Sequence, residues 1–585
     1  AWGSAVETGE QRHDGAAFSV YLLPSNGTER NGPYTLEEPM SEIRWSVSPG
    51  GERFALPVPE DYAAELERLR VLAEANRAMG REIVAVVGLG FVGAVMAAVV
   101  ADSSRADGTP GKFVIGMQRP STRSYWKTPL MNRGISPVTA EDPEVAPMIA
   151  RCVLEKKTLV ATYTEEALGL VDVVVVDVQC DYLKNRFGNC RDGAADMAAL
   201  EESLGVIAQH IQPNALVLIE TTVPPGTTEQ IAYPIMKKVF EKRGIDSEPL
   251  LAHSYERVMP GRNYVASIRD FWRVCSGVST EARERVAKFL NEVLNTRDFP
   301  LTVLDRPIES ETAKIIENSY RATILAFLDE WSVFAERNGV DLHKVINAIK
   351  VRPTHSNMIF PGPGIGGYCL PKDGGLGVWA YRHIMGFEDD IFRITPMAVD
   401  INDTRSLRVP QMVRDALRNM NRGISSADIL VLGASYREDV GDSRYSGSEI
   451  IVRKLSEMGA DVKVHDPYLE HWWEFEAQDS YPKPGFSWAR FFHRQAPLSG
   501  LRIEKDLRGA MKGADAIVLA VRHSEYLALD PDEVFEAVGR PFAVIDCFCI
   551  LDDAKIRRYL ELGCEVKGLG RGHVRRIKES VKAGS

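Results

Sequence analysis

IVAVVGLGFVGAVMAAVVA, residues 83 to 101, decides the fold of this chain. The stretch carries no charge and by length alone would suit a membrane-spanning helix. Its glycines argue otherwise. Gly88, Gly90 and Gly93 divide it into IVAVV, a buried-strand pattern, then a turn, then the small-residue opening of a helix. A GxGxxG between strand and helix is a pyrophosphate cradle. Gly88 allows the tight turn, Gly90 lets a phosphate approach the backbone, Gly93 lets the helix pack closely, and the helix N-terminus faces the anion. Gly88, Gly90, Phe91, Val92 and Gly93 are therefore the candidate cofactor contacts.

Outward from this unit, strands and helices alternate. KFVIGM (112–117), VDVVVVDV (171–178), ALVLIE (215–220) and LTVL (301–304) are short β-branched runs separated by helix-length segments, the pattern of a parallel sheet with crossover helices. ILVLG (429–433), DVKVHD (461–466), AIVLAV (516–521) and FAVID (542–546) repeat it. Between the two series, residues 309–350 hold no proline and one glycine, Gly339, so a long helix followed by a shorter one is expected. The fold class is α/β: two Rossmann-like, doubly wound parallel-sheet domains joined by a long central helix, with the site in the cleft between them. The expected divisions are an N-terminal extension and lead-in helix (1–80), a dinucleotide-binding domain (81–305), a central helical region (306–410) and a second Rossmann-like domain (411–585). Leu66, Leu69 and Leu72 set the lead-in helix, with Gly80 as its stop; residues 1–60 read as irregular, and 471–499, dense in Trp, Phe and Pro, as an inserted loop.

The 585 residues hold 81 acidic and 70 basic side chains, a formal charge of −11. That balance excludes a general attraction to nucleic acid or anionic lipid, so an anionic ligand must be caught locally. Eight cysteines without a CxxC fit a reduced enzyme better than a disulfide scaffold or zinc site, and no metal is expected. No signal peptide is visible, and a cytoplasmic location is expected.

A second constellation is PGPGIGGYCLPKD, residues 361–373, where a glycine-rich loop delivers Cys369 to a helix start near Pro371. A helix N-terminus and Lys372 would favour the thiolate, the form that attacks a carbonyl. Taken with ETTVPPGTT (220–228), YERVMPGR (255–262), KIIENSYRA (314–322), YREDVGDSR (436–444) and KGLGRG (567–572), all in order, the chain resembles the UDP-glucose/UDP-N-acetylmannosamine dehydrogenase family over roughly residues 80–575.

The resemblance implies oxidation of the C6 alcohol of a UDP-hexose or UDP-N-acetylhexosamine to the uronic acid, in two NAD-dependent steps through a cysteine thiohemiacetal and thioester. It also implies a homodimer formed through the central helix and a place in polysaccharide biosynthesis. It assigns catalysis to Cys369, Lys314, Asn318, Asp373 and Thr222, and cofactor contacts to Thr222, Lys372 and Arg444 besides the glycine turn. Substrate contacts fall to Glu256, Arg257, Arg262, Lys314, Asn318, Phe360, Gly366, Gly367, Arg437 and Arg444, the last reaching across to the second subunit. The YERVMPGR form is closer to members acting on UDP-N-acetylhexosamines. Three departures stand out: Asp329 in place of Asn, VQCD (178–181) in place of VPTP, and Gln118 where an acidic residue would hold the adenosine ribose. Gln118, with Arg119 and Arg123 behind it, suits NAD through a hydrogen bond and does not repel the 2′-phosphate of NADP. NAD is expected, with NADP open. Two other readings remain at this level: a single oxidation of an unusual nucleotide sugar to an aldehyde or ketone, and a non-catalytic sensor that binds nucleotide sugar and NAD.

Overall fold

The computed structural model describes residues 44–476 and 487–584. Its first sheet runs, edge to edge, Thr302–Val303, Val274–Gly277, Leu250–Tyr255, Leu216–Ile219, Val173–Val176, Glu82–Val87, Lys112–Met117 and Leu159–Thr162. Only the pairing of Leu250–Tyr255 with Val274–Gly277 is antiparallel; the centre is parallel, as the β-branched runs require. Strand order reverses at Glu82–Val87, which opens a crevice at its carboxyl end, where the glycine turn lies. The second sheet runs Ile503–Glu504, Asp461–His465, Asp428–Leu432, Ala516–Leu519, Ala543–Asp546 and Glu565–Gly568, parallel throughout.

Five of these strands were not expected: Leu159–Thr162, Leu250–Tyr255, Val274–Gly277, Ile503–Glu504 and Glu565–Gly568. LLAHSY shows why. His253 and Ser254 are fully buried yet polar, which masks the strand pattern. The His253 Nδ1 lies 2.6 Å from the Ser310 hydroxyl, which also meets Ser276 at 2.7 Å, so the first turn of the central helix gives these two buried groups a partner.

That helix is Pro307–Asn338, 32 residues and about 48 Å long. Pro307 opens it, the Glu309 carboxylate accepts the Arg306 N–H at 2.9 Å, and Gly339 closes it at φ 71°. Asp341 then caps the shorter helix Leu342–Lys350 through the N–H groups of His343 and Lys344. The lead-in helix Pro59–Ala78 packs through Leu69, with Leu66 and Leu72 half-buried.

Two expectations need correction. Residues 1–43 lie outside the described residues, but 44–58 are not irregular: Trp45–Val47 and Arg53–Ala55 form an antiparallel hairpin anchored where the Trp126 N–H donates to the Ser46 hydroxyl. Of the aromatic insertion, 477–486 lie outside the described residues, but both flanks are built into the core. Trp472 and Trp488 are buried, and Trp488, Phe491 and Phe492 surround Phe187 of the hairpin Asp181–Lys184/Gly193–Asp196 at 5.4 to 5.8 Å. No helix among the described residues is long and apolar enough to cross a membrane.

Candidate active site

The glycine turn fits a dinucleotide. Gly88 sits at φ 100°, and a Cβ there would lie 2.5 Å from the Asp177 carbonyl oxygen. At Gly93 a Cβ would strike the Gly88 carbonyl at 2.0 Å, whereas nothing lies within 4 Å of one at Gly90. The turn is thus closed below and open above, the cradle a pyrophosphate needs. Phe91, the first residue of helix Phe91–Asp102, stacks on Tyr264 at 4.6 Å, and the Tyr264 hydroxyl donates to the Phe91 carbonyl. Gln118 follows strand Lys112–Met117 and donates to the Ser124 hydroxyl at 3.2 Å. Arg119 and Arg123 are exposed, and Arg119 is paired with Glu202.

The second group is built on the central helix and the helix Leu370–His383, which Cys369 caps with Pro371 in its first turn. Lys314 and Asn318 lie one turn apart on the central helix. The buried Lys314 Nζ donates to the Glu256 carbonyl at 2.6 Å and lies 3.5 Å from the Glu256 carboxylate. Burial works to lower Lys314, but Glu256, Cys369, Asp373 and Glu317 outweigh it and hold the ammonium above the ordinary lysine range. Asn318 donates to one oxygen of the fully buried Asp373 at 2.6 Å, and Lys372 to the other at 3.0 Å. Burial works to lower Lys372, and Asp373, Cys180 and Cys369 more than compensate.

The expected acidic thiol is not found. Burial pushes Cys369 up to about 11, Asp373 adds to the rise, and Lys314 and Lys372 oppose it without winning. The reason is local: Lys372 spends its charge on Asp373 rather than on sulfur.

The second domain closes on this loop through its glycines. A Cβ at Gly366 would lie 2.3 Å from the Tyr436 Cβ, and Gly367, at φ 80°, donates its N–H to the Arg444 carbonyl at 2.8 Å. The Arg444 guanidinium then lies over both Phe91 and Tyr368, at 5.3 and 5.5 Å, while paired with Asp442. Glycine turn, cysteine loop and second domain therefore meet at one side chain. Within the chain, Arg444 is held by bonds from its Nε and Nη2 to Asp442.

Thr222 is buried in the loop after Leu216–Ile219. That loop is gripped from the central helix by Glu311, which accepts from Gly226 N, Thr228 N and the Thr228 hydroxyl at 2.6 to 2.8 Å; burial nevertheless pushes Glu311 up to about 7. Arg257 is committed to Glu317, the Trp272 carbonyl and the Tyr255 hydroxyl. Arg262 is exposed, Arg437 lies at the surface 3.6 Å from Glu438, and Phe360 stacks on His343 at 5.2 Å, so none of these three joins the cluster around Cys369. Asp329 pairs with Arg408 at 2.6 Å, away from the chemistry.

Three matches with known proteins follow one another along the chain. The NAD-binding domain of the UDP-glucose/GDP-mannose dehydrogenase family matches residues 82–295, its central domain 308–404 and its UDP-binding domain 430–553. The chain belongs to the UDP-glucose/GDP-mannose dehydrogenase family. It is an NAD-dependent nucleotide-sugar dehydrogenase. The UDP-N-acetyl-D-mannosamine dehydrogenase of Pyrococcus horikoshii is 26% identical over 491 residues, covering 84% of this chain and all of that one. The NDP-N-acetyl-D-galactosaminuronic acid dehydrogenase of Ralstonia nicotianae is 24% identical, covering 77% and 93%. A crystal structure of NDP-N-acetyl-D-galactosaminuronic acid dehydrogenase from Methanosarcina mazei superposes with a TM-score of 0.67 at 25% identity, covering 87% and 98%.

Residues that motif spacing did not show also contact these loops. Lys127 reaches the glycine turn and donates to the Leu89 carbonyl at 3.0 Å, and burial lowers its ammonium to about 8. Its segment, KTPLMN, has neither a glycine nor a charge pattern to mark it. Tyr264 and Glu311 were equally silent, since a lone Tyr or Glu in a helix is ordinarily packing or surface.

Proposed function

We propose that this dehydrogenase oxidises the C6 alcohol of a UDP-N-acetylhexosamine to the uronic acid, with Cys369 as the covalent nucleophile. The observation that carries the reading is the convergence of a half-buried thiol, a buried cationic Lys314 and the Asn318–Asp373–Lys372 chain at the junction of the two domains. The N-acetylated sugars in the names of the relatives and the YERVMPGR form favour the N-acetylhexosamine.

The residues act as follows. Bound NAD supplies the hydride acceptor for both oxidations. Asp373, through water and beside Lys314, takes the C6 hydroxyl proton, and the resulting aldehyde lies against Cys369. Because the thiol is held near 11, its proton leaves as sulfur adds to the carbonyl carbon, passing to the carbonyl oxygen through Asp373 and water. The product is a thiohemiacetal that fixes C6 for the second oxidation, which leaves a thioester. Water placed by Thr222 adds to that thioester, the C–S bond breaks, and the thiol recovers its proton. Lys314 and Asn318 donate to the oxyanion at both tetrahedral stages. Cys369→Ser tests the scheme: it should accumulate substrate-derived mass on the protein, because an ester leaves less readily than a thioester, whereas turnover at the wild-type rate would remove Cys369 from the mechanism.

The same reading includes a homodimer and a cytoplasmic role in polysaccharide precursor supply. Ile316, Tyr320, Phe327, Trp331 and Phe334 form an apolar stripe along the central helix, each at least 44% exposed. A second copy packed on that stripe would cover it.

A further inference from the structure

Below the glycine turn lies a carboxyl that the mechanism does not use. Asp177 follows strand Val173–Val176 and donates its N–H to the Val87 carbonyl at 2.9 Å, so its side chain rises beneath the turn. Its Oδ2 lies 3.2 Å from the place a Cβ would take on Gly93, under the N-terminus of helix Phe91–Asp102. That oxygen is buried and no donor reaches it; the same is true of the Glu220 Oε2, at the end of Leu216–Ile219. Val176 and Ile219 pair on adjacent parallel strands, so Asp177 and Glu220, the next residue in each, lie side by side, and two neighbouring carboxyls can share a hydrogen bond only when one is protonated. One shared proton satisfies both orphan oxygens.

The surrounding charges agree with a single proton. Arg273 is the cation of the group and is paired with the other Glu220 oxygen, with only about 2% of its side chain exposed. Glu256 faces the pair from the end of Leu250–Tyr255 but is held by Lys314 and the Val258 N–H. Tyr264 directs its hydroxyl to the Phe91 carbonyl, and the first turn of Phe91–Asp102 carries no acidic residue. Three ionised carboxylates against Arg273 and Lys314 would leave one buried charge uncompensated, which is costly. Burial and the neighbouring Glu220 and Glu256 accordingly raise Asp177 well above the carboxylate range.

We propose that Asp177 and Glu220 hold one proton between them and that Asp177 is a positioning residue for the cofactor, keeping the floor of the dinucleotide turn uncharged. An ionised Asp177 would compete with the cofactor's pyrophosphate for the same helix terminus. Neutral, it leaves that field to the ligand.

The test uses the whole chain and two readouts. Infrared spectra of the cofactor-free protein at neutral pH should show the C=O stretch of a protonated carboxyl, which Asp177→Asn removes; its absence from the wild type would overturn the proposal. NADH binding, followed by fluorescence from about pH 6.5 to about 9.5, should weaken about tenfold on the alkaline side in the wild type as the proton is lost. Asp177→Asn, whose amide can still donate to Glu220, should bind NADH normally at neutral pH with a flat alkaline limb. The same alkaline loss in that variant would overturn the proposal. If the variant does not fold, the wild-type band must titrate together with NADH affinity, and separate titrations refute the idea. The inference rests on the turn binding NAD: failure of the wild type to bind NADH at all would remove that reading, whereas binding without an alkaline fall would remove only the shared proton.

Discussion

The six strands of the second sheet repeat the order of six adjacent strands of the first, yet the two sheets treat the turn after the first strand in opposite ways. Gly88 and Gly433 each follow that strand, at φ 100° and 103°. Under Gly88 lies Asp177, and under Gly433 lies Val521, whose Cβ is 2.4 Å from where a Cβ on the glycine would sit. The residue after the second strand is Gln118 in one sheet and Asp466 in the other. Gln118 turns aside to Ser124 and leaves the crevice open. Asp466 fills its crevice, one oxygen accepting from Ala434 N, Ser435 N, the Ser435 hydroxyl and His523 Nε2 at 2.8 to 3.1 Å, the other from Tyr468 N and Leu469 N. The same topology therefore yields a ligand site where the turn is left unsatisfied and a structural joint where a carboxylate satisfies it from within.

The largest effect should come from closing the open turn. Gly93→Val should cost on the order of 100-fold or more in NADH affinity, since its side chain must displace the Gly88 carbonyl. Gly433→Ala, in the turn after the first strand of the other sheet, should leave NADH affinity within about twofold while lowering unfolding free energy by about 1–3 kcal/mol. Equal loss of NADH binding in both would break the comparison.

Next in size is the internal carboxylate. Asp466→Asn sets an NH2 against existing donors and should cost about 2–3 kcal/mol in urea unfolding at pH 7. Burial works to raise Asp466, but His523 and the Ser435 and Ala434 N–H groups outweigh it and hold it below the ordinary carboxylate range. Its contribution is thus fully present above the unfolded carboxylate value, near 3.9, and is lost as pH falls through the lower folded value. The gap between wild type and Asp466→Asn should narrow as the medium is acidified; a constant gap would show that the carboxylate charge is not what the joint uses.

The smallest effect concerns Gln118. Gln118→Asp adds an acceptor for the adenosine ribose and repels a 2′-phosphate, so the ratio of NAD to NADP in kcat/KM should rise a few-fold, about 2- to 10-fold. No change would place the ribose elsewhere.

Most of this architecture was legible because glycine and β-branched runs report backbone requirements directly. Gly88, Gly93 and Gly367 were found from the sequence because no other residue fits their φ or their neighbours. Strands such as LLAHSY were not, because their buried His253 meets Ser310, a partner more than fifty residues away. The site divided in the same way. Cys369, Lys314, Asn318 and Asp373 stand in dense motifs, and the structure brings them together. Lys127, Glu311 and Asp177 act through contacts that only the folded chain creates. The thiol's raised proton affinity was illegible for a related reason: the residue next to the cysteine is a lysine, but which group that lysine serves is set in three dimensions.

The central claim is a four-electron oxidation carried by Cys369, and the most direct measurement is stoichiometry. With a UDP-N-acetylhexosamine limiting and NAD in excess, the increase in absorbance at 340 nm should be compared with sugar acid determined by mass. Two reduced cofactors per sugar acid is the result the account predicts. One reduced cofactor per molecule of aldehyde or ketone, with no acid formed, would contradict it.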